Sequence, residues 1–438
     1  MRPLYLFVWW CLSYSLRLFY RRIKLVNPPK SFFGRTIYVS NHAASFMDPL
    51  VVACFRKPIV FFMTRSDVFT PLSRPLLWSV HMLPIYRQLD GVNTKEKNAE
   101  VFQECSKVLK GNRNLLIFGE GFTDDVFVRR LKPIKKGAVR IGFSALEYMN
   151  WSEKVYIAGV GCNYTEPNRM RSDLLISTSE SICLNDYRSD YETNPNKVIS
   201  ELTIRVEKLI QSQITHVANP HLTELHEEIM ILTRKGMNSI CYDDKIDLTS
   251  RFRYSQKLAN WINNESTEYL EPLKEQSRYY FESLKKENLT DDDIWRKKNN
   301  QWTVFSDLFK FLLLIPFTIL GILHCALPYL IVKRFVEKKF KRSVFWGSTK
   351  MLLSMILLGI LNIPFVFIIS HLFECSNWIG FFYYLLIGLF GLSFYLSFVW
   401  INRINRQIRL QKRDLTSEIN ARDELEKILV QTLPTELF

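Results

Sequence analysis

Three uncharged apolar runs near the C-terminus constrain this chain most. They are Phe311–Val332, Met351–Ser370 and Trp378–Ile401, of 22, 20 and 24 residues. A helix needs about 20 such residues to cross about 30 Å of hydrocarbon. Each run qualifies, so part of the chain is expected in a membrane. Mean hydropathy over all 438 residues is only −0.03. That average excludes a chain that is membrane throughout and implies a soluble part joined to embedded segments.

Flanking charge suggests how the runs are arranged. Residues 333–350 carry seven basic residues and one acid, and 403–413 carry five basic residues. The link 371–376 has no Lys or Arg. By the positive-inside tendency the last two runs form a hairpin, with both outer flanks in the cytoplasm. The first run is also preceded by basic residues and contains Pro316, Gly321, His324 and Pro328. It either spans or re-enters. At the other end, Pro3–Leu16 is uncharged but short, rich in aromatics and followed by Arg17, Arg21, Arg22 and Lys24. That pattern reads as a helix lying in the membrane interface, or as an amphipathic docking helix.

The formal charge of +15, from 58 basic and 43 acidic residues, predicts an anionic partner. The basic residues cluster beside apolar runs, which favours phospholipid headgroups over nucleic acid. Eight scattered cysteines include no CxxC pair and read as reduced and structural. His216, His221 and His226 are five apart, on different helix faces, so no metal site is expected.

Between the membrane parts, short apolar runs alternate with helical patterns. Strand-like segments are 35–41, 58–63, 82–86, 114–118, 155–162 and 174–178, and helical ones are 95–110 and 137–148. This predicts an α/β domain. The expected division is an interface helix over 1–32, a catalytic domain over 33–196 and a helical insert or linker over 197–303. A membrane region over 304–402 and an amphipathic cytoplasmic tail over 403–438 complete it.

The candidate chemistry begins at Asn41-His42, at the exit of the first catalytic-domain strand, with Asp48 six residues after the His. An Asp curling back onto one imidazole nitrogen leaves the other free to take a proton from a hydroxyl. Further polar clusters stand at later strand ends: Arg87 after 83–86, Phe118-Gly119-Glu120-Gly121-Phe122-Thr123, Lys135-Lys136, and the segment 157–164. Such loops can converge on one cleft.

In this order the blocks resemble the membrane-associated glycerophospholipid acyltransferases. Asn41, His42 and Asp48 match the NHxxxxD block, Arg87 the Arg that ends the second, and Phe118, Glu120 and Gly121 the Phe-x-Glu-Gly turn. Residues 157–161 match the fourth block loosely. The His-to-Asp spacing is one residue longer than in the family pattern, and Gly119 stands where Pro is usual. The resemblance implies a mixed-sheet acyltransferase domain flanked by helices. Its C-terminal runs look like those of fungal-type glycerol-3-phosphate acyltransferases and their bacterial relatives.

The resemblance also implies acyl transfer from a thioester, acyl-CoA or acyl carrier protein, to a glycerol-phosphate hydroxyl. Glycerol-3-phosphate at position 1 is the first expectation. Lysophosphatidic acid, another lysolipid and an amino-acid lipid are alternative acceptors, and an inactive lipid-binding scaffold is the non-enzymatic alternative. His42 is the implied base and Asp48 its partner. Asn41, Arg87, Glu120, Gly121, Thr123, Lys135 and Lys136 are the implied substrate-binding residues. No cofactor is implied beyond the donor. The expected setting is the bacterial inner membrane, or the endoplasmic reticulum, with the catalytic domain facing the cytoplasm.

Overall fold

The computed structural model describes residues 3–29, 31, 33–55, 60–86 and 94–437. They form two compact units, Met1–Ala218 and Asn219–Phe438.

The first unit holds one seven-stranded sheet. Its elements run α1 (Pro3–Phe19), β1 (Arg22–Val26), β2 (Thr36–Ser40), α2 (Met47–Phe55), β3 (Val60–Arg65), α3 (Arg74–Ser79), β4 (Met82–Ile85) and α4 (Thr94–Lys110). Then follow β5 (Asn114–Phe118), α5 (Gly137–Tyr148), β6 (Tyr156–Tyr164), β7 (Asp173–Cys183), α6 (Arg188–Thr193) and α7 (Pro195–Gln211). The strand order is β1-β7-β6-β2-β5-β3-β4. Every neighbouring pair is parallel except β6 with β7. The central strands are buried along nearly their whole length. That is why they read as short continuous apolar runs rather than as alternating ones. The core joins Ile37, Val39, Leu115 and Ile157 of the sheet to Leu109, Phe143, Leu146 and Val206 of the helices.

Two features differ from the sequence expectation. Residues 22–26, placed within the interface-helix segment, form β1 at the edge of the sheet, in parallel register with β7. Its entry is held by Arg21, whose guanidinium grips the buried Asp173 carboxylate at 2.7 and 3.0 Å. Helix α7, placed in the helical insert, belongs to the first unit and closes over β6. The approach is close enough that a Cβ on Gly159 would stand 3.0 Å from the Ile210 amide nitrogen.

In the same unit, α1 packs on α2, where the Trp9 indole donates to the Ala53 carbonyl at 3.1 Å. Tyr5, Leu12 and Leu16 are buried, whereas Phe7 and Trp10 are exposed.

The second unit is helical. Its elements are α8 (Thr223–Thr233), α9 (Leu248–Asn264), α10 (Thr267–Lys286), α11 (Asp291–Lys298), α12 (Val304–Gly321), α13 (Leu327–Lys339), α14 (Trp346–Leu361), α15 (Ile363–Leu372), α16 (Asn377–Lys412) and α17 (Thr416–Thr432). A π-helical turn, Ile322–Ala326, joins α12 to α13. Among the described residues, three segments are long and apolar enough to cross a membrane: Val304–Lys339, Ser343–Leu372 and Asn377–Lys412. Helix α17 is clasped to α11 by a fully buried pair, Arg422 with Asp291 at 2.8 Å.

Candidate active site

The site stands at the carboxyl ends of the parallel strands, where open α/β sheets place their ligands. Ser40 of β2 pairs in register with Phe118 of β5 on one side and Val160 of β6 on the other. Residues just past those ends therefore meet: Asn41 and His42 after β2, Glu120 after β5, and Cys162 with Tyr164 at the end of β6.

His42 and Asp48 make a direct contact, Nδ1 to Oδ2 at 3.0 Å. A carboxylate only accepts, so Nδ1 carries the proton and a neutral ring keeps its lone pair on Nε2. The long His-to-Asp spacing is absorbed locally. Ser45 sits in the left-handed region at φ +51°. The turn closes with Met47 N donating to Ala44 O (3.0 Å) and Asp48 N to Ser45 O (3.3 Å). Asp48 thus lands in the first turn of α2, with its carboxylate turned back to the loop, where Ala44 N also donates to Oδ2 at 2.9 Å. The Asp48 side chain is fully buried and that of His42 about one-fifth exposed.

Tyr164 completes the carboxylate's shell. Its hydroxyl donates to Asp48 Oδ1 at 2.8 Å. Burial, then the Asp48 charge, hold the Tyr164 phenol well above its ordinary pKa, so it stays a donor. Phe118 stacks under the His42 ring, with centroids 4.2 Å apart. The ring is therefore fixed by an oriented hydrogen bond and by a flat apolar support.

Glu120 is buried and turned inward. One oxygen accepts from His42 N at 2.7 Å and the other from Lys132 N at 3.3 Å. The Lys132 ammonium stands 3.7 Å away and also donates to the Phe122 carbonyl. Desolvation pushes the Glu120 carboxyl above its usual range, opposed by the His42 amide and by Lys132. Its visible work is to pin the backbone of His42.

Asn41 likewise faces the fold. Its amide exchanges two bonds with the backbone of Cys162, accepting from N at 2.8 Å and donating to O at 3.1 Å. Gly121 has φ +77°, and a Cβ there would stand 2.9 Å from Lys135 Nζ, so only glycine fits easily. Thr123 is buried nearby in sequence. Lys136 is exposed and donates to Ser200 Oγ on α7 at 2.6 Å. Arg87 lies outside the described residues.

The geometry thus gathers Asn41, His42, Asp48 and Glu120 and directs Lys136 toward α7. Sequence reasoning named no role for Tyr164, Phe118 or Lys132. Tyr164 ends the strand-like segment 157–164 and Phe118 opens the Phe-x-Glu-Gly turn, and only the three-dimensional pairing brings them to Asp48 and His42. His216, set aside as a metal ligand, accepts from Leu131 N through Nδ1 at 3.0 Å.

The sequence pattern of the family described as Acyltransferase matches residues 23–163. That span contains His42, Asp48, Arg87 and Glu120 and ends one residue before Tyr164. Among solved structures, the 1-acyl-sn-glycerophosphate (LPA) acyltransferase PlsC from Thermotoga maritima is similar at 18% identity. The similarity covers 47% of this chain and 80% of that one, with a TM-score of 0.32. No curated protein matches.

Proposed function

We propose that the chain is a membrane O-acyltransferase that moves a fatty acyl group from a thioester to a glycerol-phosphate hydroxyl. The observation that carries this reading is the His42–Asp48 contact at the carboxyl end of β2, within the stretch that matches the Acyltransferase pattern. His42 Nε2 takes the proton of the acceptor hydroxyl as its oxygen attacks the thioester carbonyl. Asp48 stabilises the imidazolium that forms. Collapse of the tetrahedral intermediate breaks the carbon–sulfur bond, and His42 returns its proton to the departing thiolate. A base so placed is worth about 10²–10⁴ in rate.

Glycerol-3-phosphate, acylated at position 1, is the acceptor we assign, with acyl-CoA or acyl carrier protein as donor. Arg87 follows the last residues of β4 in sequence, and a guanidinium suits a phosphate dianion. Lys135, beside Gly121, supplies a second cation. The exposed Phe7 and Trp10 of α1 suit a membrane interface, and product with a long chain leaves most readily into lipid.

The test is product identification with purified full-length protein and palmitoyl-CoA, or the acyl carrier protein thioester, offered glycerol-3-phosphate, lysophosphatidic acid and a phosphate-free amino-acid lipid in parallel. Acylated glycerol-3-phosphate, abolished in Arg87→Ala, supports the assignment. Turnover of only the phosphate-free acceptor, insensitive to Arg87→Ala, overturns the acceptor. No product from any pair overturns the reaction.

A further inference from the structure

The contacts among the apolar helices fix their relative directions. The segment from α12 to α13 is one continuous right-handed helix. Backbone angles stay helical through the π turn, at φ −62°, ψ −48° for Ile322 and φ −63°, ψ −51° for Ala326. Its 36 residues extend about 54 Å.

This helix lies antiparallel to α16. Thr303 N donates to Gln407 Oε1 at 2.9 Å, and Asp307 meets Arg403 at 3.4 Å. Farther along, Thr318 meets Ser397, His324 meets Tyr383, and the Cys325 thiol meets the Ile387 carbonyl. The start of the first apolar segment and the end of the third are therefore at one level. Three full crossings would set those two points on opposite faces of the membrane.

The second segment resolves the conflict. Helix α14 is antiparallel to α13, with Lys350 on Glu337 at 2.7 Å and Asn362 on His324 at 2.7 Å. Helix α15 is antiparallel to the start of α16, where Gly380 lies against the Val366 carbonyl and Ser370 Oγ, and Ser370 reaches the Ser376 carbonyl. Measured along α16, Asn362 is level with Tyr383. Lys350, level with Glu337, and Ser370, beside Ser376, both lie toward the Ser376 end. The two halves of the segment descend from Asn362 in the same direction.

We propose that the chain crosses the membrane twice, through 304–339 and 377–412, and that 343–372 is a re-entrant helix pair with Asn362 at its apex. The break has a local cause. Asn362, at φ −97°, ψ 0°, is the residue that separates α14 from α15, and Pro364 follows in the first turn of α15. Backbone broken at membrane depth must be buried in protein. Asn362 and His324 are each 2% exposed. The Asn362 amide donates to the Leu358 carbonyl at 2.9 Å and accepts from His324 Nδ1, while His324 Nε2 faces the Tyr383 hydroxyl at 2.6 Å. One polar node thus ties all three segments together. The arrangement sets the basic stretch 333–350 on the side of the link 371–376, away from 403–413. Flanking charge alone suggested the reverse pairing.

The test is side-specific labelling of the full-length protein in sealed vesicles of known orientation. A membrane-impermeant maleimide reacts with Lys341→Cys, Asp414→Cys and the native Cys375, and the modified peptides are resolved by mass spectrometry. The proposal expects residues 341 and 375 to label from one face and 414 from the other. Labelling of 341 and 414 from the same face, with 375 on the opposite one, overturns it. So does labelling of all three from one face.

Discussion

The Tyr164 hydroxyl donates to the buried Asp48 carboxylate at 2.8 Å, across 116 residues of sequence. The carboxylate is thereby held from the β6 side while His42 and the Ala44 amide hold it from the loop. Tyr164→Phe removes one hydrogen bond to a charged group, worth about 1.5–3 kcal/mol. Acyl transfer is expected to fall by about tenfold or more in kcat, with KM for the acceptor little changed, because the tyrosine acts through Asp48 and not on substrate. Steady-state kinetics of the single variant decide this.

The loop that absorbs the long His-to-Asp spacing depends on one left-handed residue. Ser45→Gly suits φ +51° and should keep near-native activity. Ser45→Val places a β-branched side chain where it is strained. That variant should lose activity through misplacement of Asp48, with a smaller effect on the melting temperature. A comparison of rate and melting temperature for the pair separates local from global damage.

Glu120 accepts from His42 N and Lys132 N in a buried setting. Glu120→Ala leaves the His42 and Lys132 backbone amides without their acceptor, costing about 1–3 kcal/mol for a single buried polar group, while the Lys132 ammonium keeps the Phe122 carbonyl and Asp124. Both melting temperature and kcat should drop. Glu120→Gln retains one carbonyl oxygen for the His42 amide and should be the milder change in rate.

Much of this site is legible in the sequence because each block is local. A strand, its exit and the polar residues beyond it occupy fewer than a dozen positions, so His42, Asp48 and Glu120 can be read directly. The partners that make the blocks into a site are not local. Tyr164 reaches Asp48, and Asn41 reaches Cys162, only through the pairing of β2 with β6. Strand β1 is hidden for the same reason: its basic, half-exposed residues acquire a strand's hydrogen bonds from β7. In the apolar region composition gives length but not direction. The break at Asn362 is one polar residue in a uniform run, and its meaning comes from His324 and Tyr383 on other helices.

The second unit carries its own titration. Burial pushes the Glu228 carboxyl on α8 up to about 7, opposed by the Ser277 hydroxyl. Its folded pKa is above the unfolded value of 4.5, so its favourable contribution is full below that value. The contribution is lost as pH rises through about 7. Thermal unfolding across pH 5–8 should show wild type losing stability toward the alkaline end (a trend of order 1 kcal/mol after solvent screening). Glu228→Gln should flatten that trend, and an unchanged slope would count against the assignment.

The central claim is that His42 is the base for acyl transfer. Purified wild-type protein and His42→Ala, matched for melting temperature, are to be compared for transfer of radiolabelled palmitate from CoA to glycerol-3-phosphate. The account predicts labelled lysophosphatidic acid from wild type and a loss of about 10²-fold or more in the variant. Equal transfer by both proteins would contradict it.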